Sequence, residues 1–112
     1  MMPQIFSEQQ MLRVEYKSKE TGNVFAYIYG VPHIGLVTLH VDEQYRRQGY
    51  GMKLMQEYIR LVKEKTNETF VRFECHKDNS PALALYRKLG FSFREETDDD
   101  CATIICLLKV GI

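Results

Sequence analysis

Apolar and polar positions alternate through the first patterned segment, Met11 to Ser18, where Leu12, Val14 and Tyr16 sit between more polar neighbours. This period of two is that of a half-buried strand. Thr21-Gly22-Asn23 signals a turn, and Val24 to Tyr29 reads as a second strand that pairs with the first in a hairpin. Gly30 to Pro32 breaks the chain, and Ile34 to Val41, rich in β-branched residues, is a third strand. The period then changes. From about Gly49 to Lys65, Leu54, Met55, Tyr58, Ile59, Leu61 and Val62 recur at three- and four-residue steps. That spacing predicts an amphipathic helix with Lys53, Gln56, Glu57, Arg60, Lys63 and Glu64 on its polar side. Phe70 to His76 alternates again and is a fourth strand. Asn79-Ser80-Pro81 supplies a capping side chain and a first-turn proline for a second helix, which runs to about Leu89 and stops at Gly90. Phe91 to Glu96 and Cys101 to Val110 form a last hairpin around the acidic turn Asp98-Asp99-Asp100.

The order β-β-β-α-β-α-β-β gives a mixed α/β layer fold. A strand, a helix and a further strand imply a right-handed crossover, with Ile34–Val41 and Phe70–His76 side by side and parallel. The rest of the sheet is expected to be antiparallel. No repeat, low-complexity tract or linker interrupts the 112 residues, which are expected to form one domain over 1–112.

Composition narrows the function. Fifteen basic and fifteen acidic side chains cancel, whereas a dedicated nucleic-acid binder carries a basic excess. There is no apolar run of the length a membrane span needs, and Met1 to Glu8 lacks the pattern of a signal peptide. Cys75, Cys101 and Cys106 are in no metal-ligand or redox spacing, so they read as reduced core thiols of a cytoplasmic protein. No metal site is expected.

The most informative stretch is Leu39-His40-Val41-Asp42-Glu43-Gln44-Tyr45-Arg46-Arg47-Gln48-Gly49-Tyr50-Gly51. A strand ends, a loop follows, and two glycines open a helix. The first N–H groups of a helix have no intrahelical partner and carry the positive end of its dipole. Glycines let a phosphate come close, and Arg46 and Arg47 add charge beside the same turn. A Walker loop needs Lys and then Ser or Thr after its last glycine, and Gly51 is followed by Met52. A Rossmann fingerprint needs a third glycine where Leu54 stands.

Arg46-Arg47-Gln48-Gly49-Tyr50-Gly51 resembles the Gln/Arg-x-x-Gly-x-Gly/Ala motif of the GNAT superfamily of acyl-CoA-dependent N-acetyltransferases. Asn79-Ser80-Pro81-Ala82-Leu83-Ala84-Leu85-Tyr86-Arg87-Lys88-Leu89-Gly90-Phe91 resembles that superfamily's Asn-x-x-Ala-x-x-x-Tyr-x-x-x-Gly-Phe segment. The two motifs occur in order and on the right elements, and the resemblance covers roughly Val24 to Val110. It implies the GNAT fold, a mostly antiparallel sheet with a parallel β-α-β acyl-CoA-binding core, in an N-terminally shortened form. It implies transfer of an acetyl group from acetyl-CoA to a primary amine by direct attack on the thioester. The alternative is a non-catalytic acyl-CoA-binding module or a subunit of a larger assembly; a binder of another phosphorylated ligand is a third reading.

The resemblance also implies roles. Leu39 and Val41 would bind the pantetheine arm through their backbone, and an N–H there would polarise the thioester carbonyl. Arg46, Arg47, Gln48, Gly49, Tyr50, Gly51 and Met52 would hold the pyrophosphate. Asn79 caps its helix and would touch the cofactor. Tyr86 matches the general acid near the CoA sulfur. Many relatives carry a Glu base where Gly35 stands. Phe73-Glu74-Cys75-His76-Lys77-Asp78-Asn79 instead resembles the Glu-Val-Arg-x-x-Asn segment of the ribosomal-protein N-terminal acetyltransferase branch, in which the Glu, here Glu74, is a proposed base. His76 shares the face of Glu74 and is the next candidate base, with His33 and His40 behind it. Family members carry a strand and two helices before the first strand found here, where only Met1 to Gln10 stand, so an unusually open acceptor side is expected. That openness suits a protein amine, and the open sheet edge and exposed aromatics suit a homodimer.

Overall fold

The computed structural model describes residues 11–95 and 102–111. Its strands are β1 (Leu12–Lys17), β2 (Val24–Val31), β3 (Leu36–Val41), β4 (Phe70–His76), β5 (Ser92–Glu95) and β6 (Thr103–Lys109). Helix α1 (Tyr50–Lys65) joins β3 to β4, and α2 (Ser80–Lys88) joins β4 to β5. The order is the expected one. The third strand begins later than its β-branched run suggests, because Pro32–Ile34 closes a turn of 3-10 helix that ends at Gly35 with φ 73°. The acidic turn Asp98-Asp99-Asp100 and Cys101 lie outside the described residues.

The strands form two three-stranded sheets, ordered β1-β2-β3 and β4-β6-β5, and every ladder in them is antiparallel. The side-by-side pairing expected of β3 and β4 is not a ladder here. The strands touch near the start of β3, where a Cβ added at Gly35 would lie 3.1 Å from the Arg72 carbonyl oxygen. Among the described residues no ladder joins them, so β3 keeps a free edge beside the gap between the sheets.

Registers fix the faces. Leu12, Val14 and Tyr16 align with Gly30, Ile28 and Ala26, which in turn align with Val37, Leu39 and Val41. This face is covered by α1 through Leu54, Met55, Tyr58 and Val62, each wholly buried. Burying such side chains stabilises the fold by about 1.5–3 kcal/mol each, as an upper bound. In the second sheet Val71, Phe73 and Cys106 point the same way, and Tyr86 of α2 packs edge-on against Phe73 at 4.9 Å. The two helices therefore share one side of the molecule, where Leu85 meets Gly51. On the opposite side, which no described element covers, lie Arg13, Glu15, Tyr27, Tyr29, Thr38 and His40, together with Arg72, Glu74 and His76.

Candidate active site

The free edge of β3 is one wall of the site. Asp42 N–H donates to the Phe25 carbonyl at 2.8 Å, so Asp42 faces β2. In an antiparallel pair the facing direction alternates, which turns the N–H and C=O groups of Val41 and Leu39 towards the gap. The Val41 carbonyl accepts a hydrogen bond from Arg46 Nε at 2.9 Å, as that orientation requires.

Beyond Val41 the chain makes a turn of 3-10 helix over Glu43–Tyr45 and then bends sharply. Arg47 has φ 65°, a left-handed conformation rare for a residue with a Cβ, and Gly49 has φ 87°. Such reversals aim successive N–H groups into one concavity, the geometry of an anion nest. The α1 N-terminus carries no side-chain cap, and a Cβ at Gly49 would meet nothing within 4 Å, so the opening above it is clear. Aromatic rings hold the bend in place: Tyr45 stacks on Phe25 at 3.9 Å and Tyr50 packs edge-on against the same ring at 5.0 Å. Local strain at Arg47 is thus held by packing.

A cavity of about 600 Å³ lies between the end of β3, this bend and the start of α2. Leu39, Val41, Arg46, Arg47, Gly49, Tyr50, Gly51 and Asn79 all line it. Three expected ligand contacts, Gln48, Met52 and Tyr86, do not. The Gln48 amide donates back to the Gln44 carbonyl at 3.3 Å, and Met52 is half-buried on the first turn of α1. The cavity adds His40, Tyr45, Pro81, Ala82 and Leu85. Asn79 caps α2 as read, its Oδ1 accepting from Ala82 N–H at 3.3 Å.

Tyr86 is 6% exposed and lies one turn beyond Ala82, among Phe73 and Phe91, and it is not part of the cavity lining. Burial pushes its phenol well above the usual range, and the nearby Cys75 and Cys106 thiols add to the shift. The proton stays on that oxygen at any physiological pH. Glu74 and His76 are exposed on the other face of β4, and the Glu74 carboxylate accepts from the Thr103 hydroxyl at 2.8 Å. His33 is 3.3 Å from Glu68, and His40 Nε2 is 2.8 Å from Asp42 Oδ1. Gly35 cannot hold a base without strain: its φ is left-handed and its Cβ position is crowded by Arg72. Among the described residues no group of His, Cys, Asp and Glu is arranged to hold a metal ion, and no helix is long and apolar enough to cross a membrane.

The family model described as "Acetyltransferase (GNAT) family" matches residues 10–91. The chain belongs to this family. It is 46% identical over 56 residues to an N-alpha-acetyltransferase of Sulfurisphaera tokodaii, a match that covers 50% of this chain and 34% of that relative. A second N-alpha-acetyltransferase, from Saccharolobus solfataricus, is 36% identical over 56 residues, with the same shares covered. The chain thus spans about a third of the length of these curated relatives. The fold superposes on the ribosomal-protein-S18-alanine N-acetyltransferase of Escherichia coli with a TM-score of 0.69 at 24% identity, covering 100% of this chain and 79% of that one. It superposes on the PaiA N-acetyltransferase of Thermoplasma acidophilum, solved in complex with coenzyme A, with a TM-score of 0.73 at 21% identity, covering 96% and 65%. GNAT proteins take acetyl-CoA, and the site here fits such a ligand: an uncapped helix start, two arginines and a free strand edge meet in one cavity.

Proposed function

We propose that this chain binds acetyl-CoA and transfers its acetyl group to a primary amine. The observation that carries the reading is the continuity of the free β3 edge with the uncapped start of α1 across a single cavity. A pyrophosphate suits the N–H groups of the bend, with the Arg46 and Arg47 guanidinium groups beside it. An extended amide-bearing arm suits the exposed N–H and C=O groups of Leu39 and Val41, which would add it as a short strand. A donor N–H on that edge would then polarise the thioester carbonyl. Tyr86, whose phenol keeps its proton, donates to the sulfur as negative charge builds there.

We take the acceptor to be the α-amine of a polypeptide. The side of the sheet that the described residues leave open supports a bulky acceptor, and the N-alpha-acetyltransferase relatives support the amine class. Glu74, exposed on that side, offers negative charge to an incoming ammonium ion. Free Cys75 and Cys106 support a reducing, cytoplasmic setting. The seat of Tyr86 behind the cavity lining favours one second reading, a non-catalytic acyl-CoA-binding module.

Incubation with acetyl-CoA and an unblocked peptide separates the two. Transfer predicts release of one thiol per acetyl group gained at the peptide N-terminus, and none with an N-terminally blocked peptide. Tight acetyl-CoA binding without peptide acetylation would overturn transfer in favour of the binding module.

A further inference from the structure

His40 is the one histidine that lines the cavity, and it is the one with a carboxylate at short hydrogen-bond distance. A carboxylate only accepts, so the 2.8 Å contact has His40 Nε2–H donating to Asp42 Oδ1. That bond fixes the tautomer of the neutral ring and leaves Nδ1 with its lone pair free. The strand places both residues. His40 pairs with Tyr27, and its backbone faces β2, as that of Asp42 does, which leaves only its side chain for chemistry. Its ring lies 5.3 Å from that of Tyr27, and this packing holds its plane.

We infer that His40, which lines the cavity and is oriented by Asp42, takes the proton from the incoming amine as a catalytic residue. The inference rests on the transferase reading above. The ammonium ion gives one proton to His40 Nδ1, and the neutral nitrogen then attacks the thioester carbonyl carbon. As the C–N bond becomes the amide and the C–S bond breaks, the nitrogen loses a second proton. One of the two protons ends on the CoA sulfur by way of Tyr86, and the other leaves to solvent from His40. Atoms and charge balance with no further reactant.

Ionisable groups surround His40 on each neighbouring element. Asp42 is its partner on the end of β3, and Tyr27 of β2 lies beside it. Glu15 of β1, opposite Tyr27, is bonded to Arg13 at 2.8 Å, and the Arg13 guanidinium sits 5.0 Å over the Tyr27 ring. Tyr45, Arg46 and Arg47 share its cavity. Glu74 and His76 are on the same side, across the gap, but neither lines the cavity.

The test compares the pH dependence of kcat/KM for wild type, His40→Gln and Asp42→Asn, with acetyl-CoA and an unblocked peptide. Without the base, the rate depends on amine already neutral in solution, and a free α-amine has a pKa of about 8. His40→Gln is expected to lose about a hundredfold at pH 6.5, a typical effect of general-base loss, and less than about tenfold above pH 9. Asp42→Asn, which turns the ring to the wrong tautomer, should show the same converging deficit. Acetyl-CoA affinity should change less than about twofold in Asp42→Asn, since Asp42 is not among the residues that line the cavity. A deficit that stays constant across the pH range, or wild-type rates in both variants, would overturn the assignment. Failure of the wild-type protein to acetylate would be seen first and would sink the transferase reading itself.

Discussion

A phenol enclosed by Phe73 and Phe91 and lying near two thiols is a poor anion and a durable proton store. That is the physical content of placing Tyr86 at the leaving group. Replacement by Phe keeps the ring and its edge-on contacts, so the fold and the cavity should stand. We predict that Tyr86→Phe lowers kcat by about a hundredfold, within the usual range for loss of a general acid. Acetyl-CoA affinity, read by calorimetry, should stay within about twofold; an unchanged kcat would remove Tyr86 from the reaction. The spacing Asn79 to Tyr86 to Gly90 singled this residue out, but its seat behind the cavity lining was not legible. A motif gives order along a helix, and burial depends on which strand the helix meets. The His40–Asp42 pair was half legible: residues two apart on a strand share a face. That Asp42 turns its carboxylate onto the ring, with a hydrogen bond of 2.8 Å, is a property of the fold.

Among the elements, the bend between β3 and α1 is the one on which the proposed binding of acetyl-CoA rests. Its sequence was readable because its signals are local: a β-branched strand, two arginines and two glycines at a helix start. Gln48 and Met52 fell outside the cavity for an equally local reason. The Gln48 amide turns back onto the Gln44 carbonyl, and Met52 lies within the first turn of α1. A β-branched residue at a left-handed position is costly, about 1–2 kcal/mol. Gly49→Val should therefore lower the unfolding free energy by about that amount and weaken acetyl-CoA binding by about tenfold or more, since the Cβ branch stands in the phosphate's path. Chemical denaturation and calorimetry on one sample check both; normal affinity in this variant would remove the bend from the site. Helix α2 was read correctly at both ends from its Asn79 cap and Gly90.

For the whole molecule, the separation of β3 from β4 was the feature the sequence did not disclose. Both strands have the composition of a paired parallel core. Whether a ladder forms between them depends on the contact at Gly35 and Arg72 and on the helices that span the gap, which no local pattern encodes. The shared core has a consequence for stability. Burial, aided by the Cys75 thiol, pushes Cys106 up to about 12, and burial raises Tyr58 and Tyr86 as well. The folded state thus holds protons that the unfolded chain gives up from about pH 8.5 for a thiol and about pH 10 for a phenol. Their stabilising contribution is fully present below pH 8.5 and is lost as pH rises towards 12. The predicted Tm is flat with respect to these groups at neutral pH and falls above about pH 8.5, the first part of the slope disappearing in Cys106→Val. A Tm that holds up to pH 11 would contradict the burial of these groups.

The proposed function stands on one cavity, between the free edge of β3 and the start of α1, taking acetyl-CoA. Calorimetric titration of the purified protein with acetyl-CoA, with ADP as the comparison, tests it most directly. Acetyl-CoA should bind saturably, one to one and much more tightly than ADP, because the strand edge adds its contacts to those of the pyrophosphate. Equal affinity for the two would reduce the site to a phosphate nest, and no binding of acetyl-CoA would contradict the account.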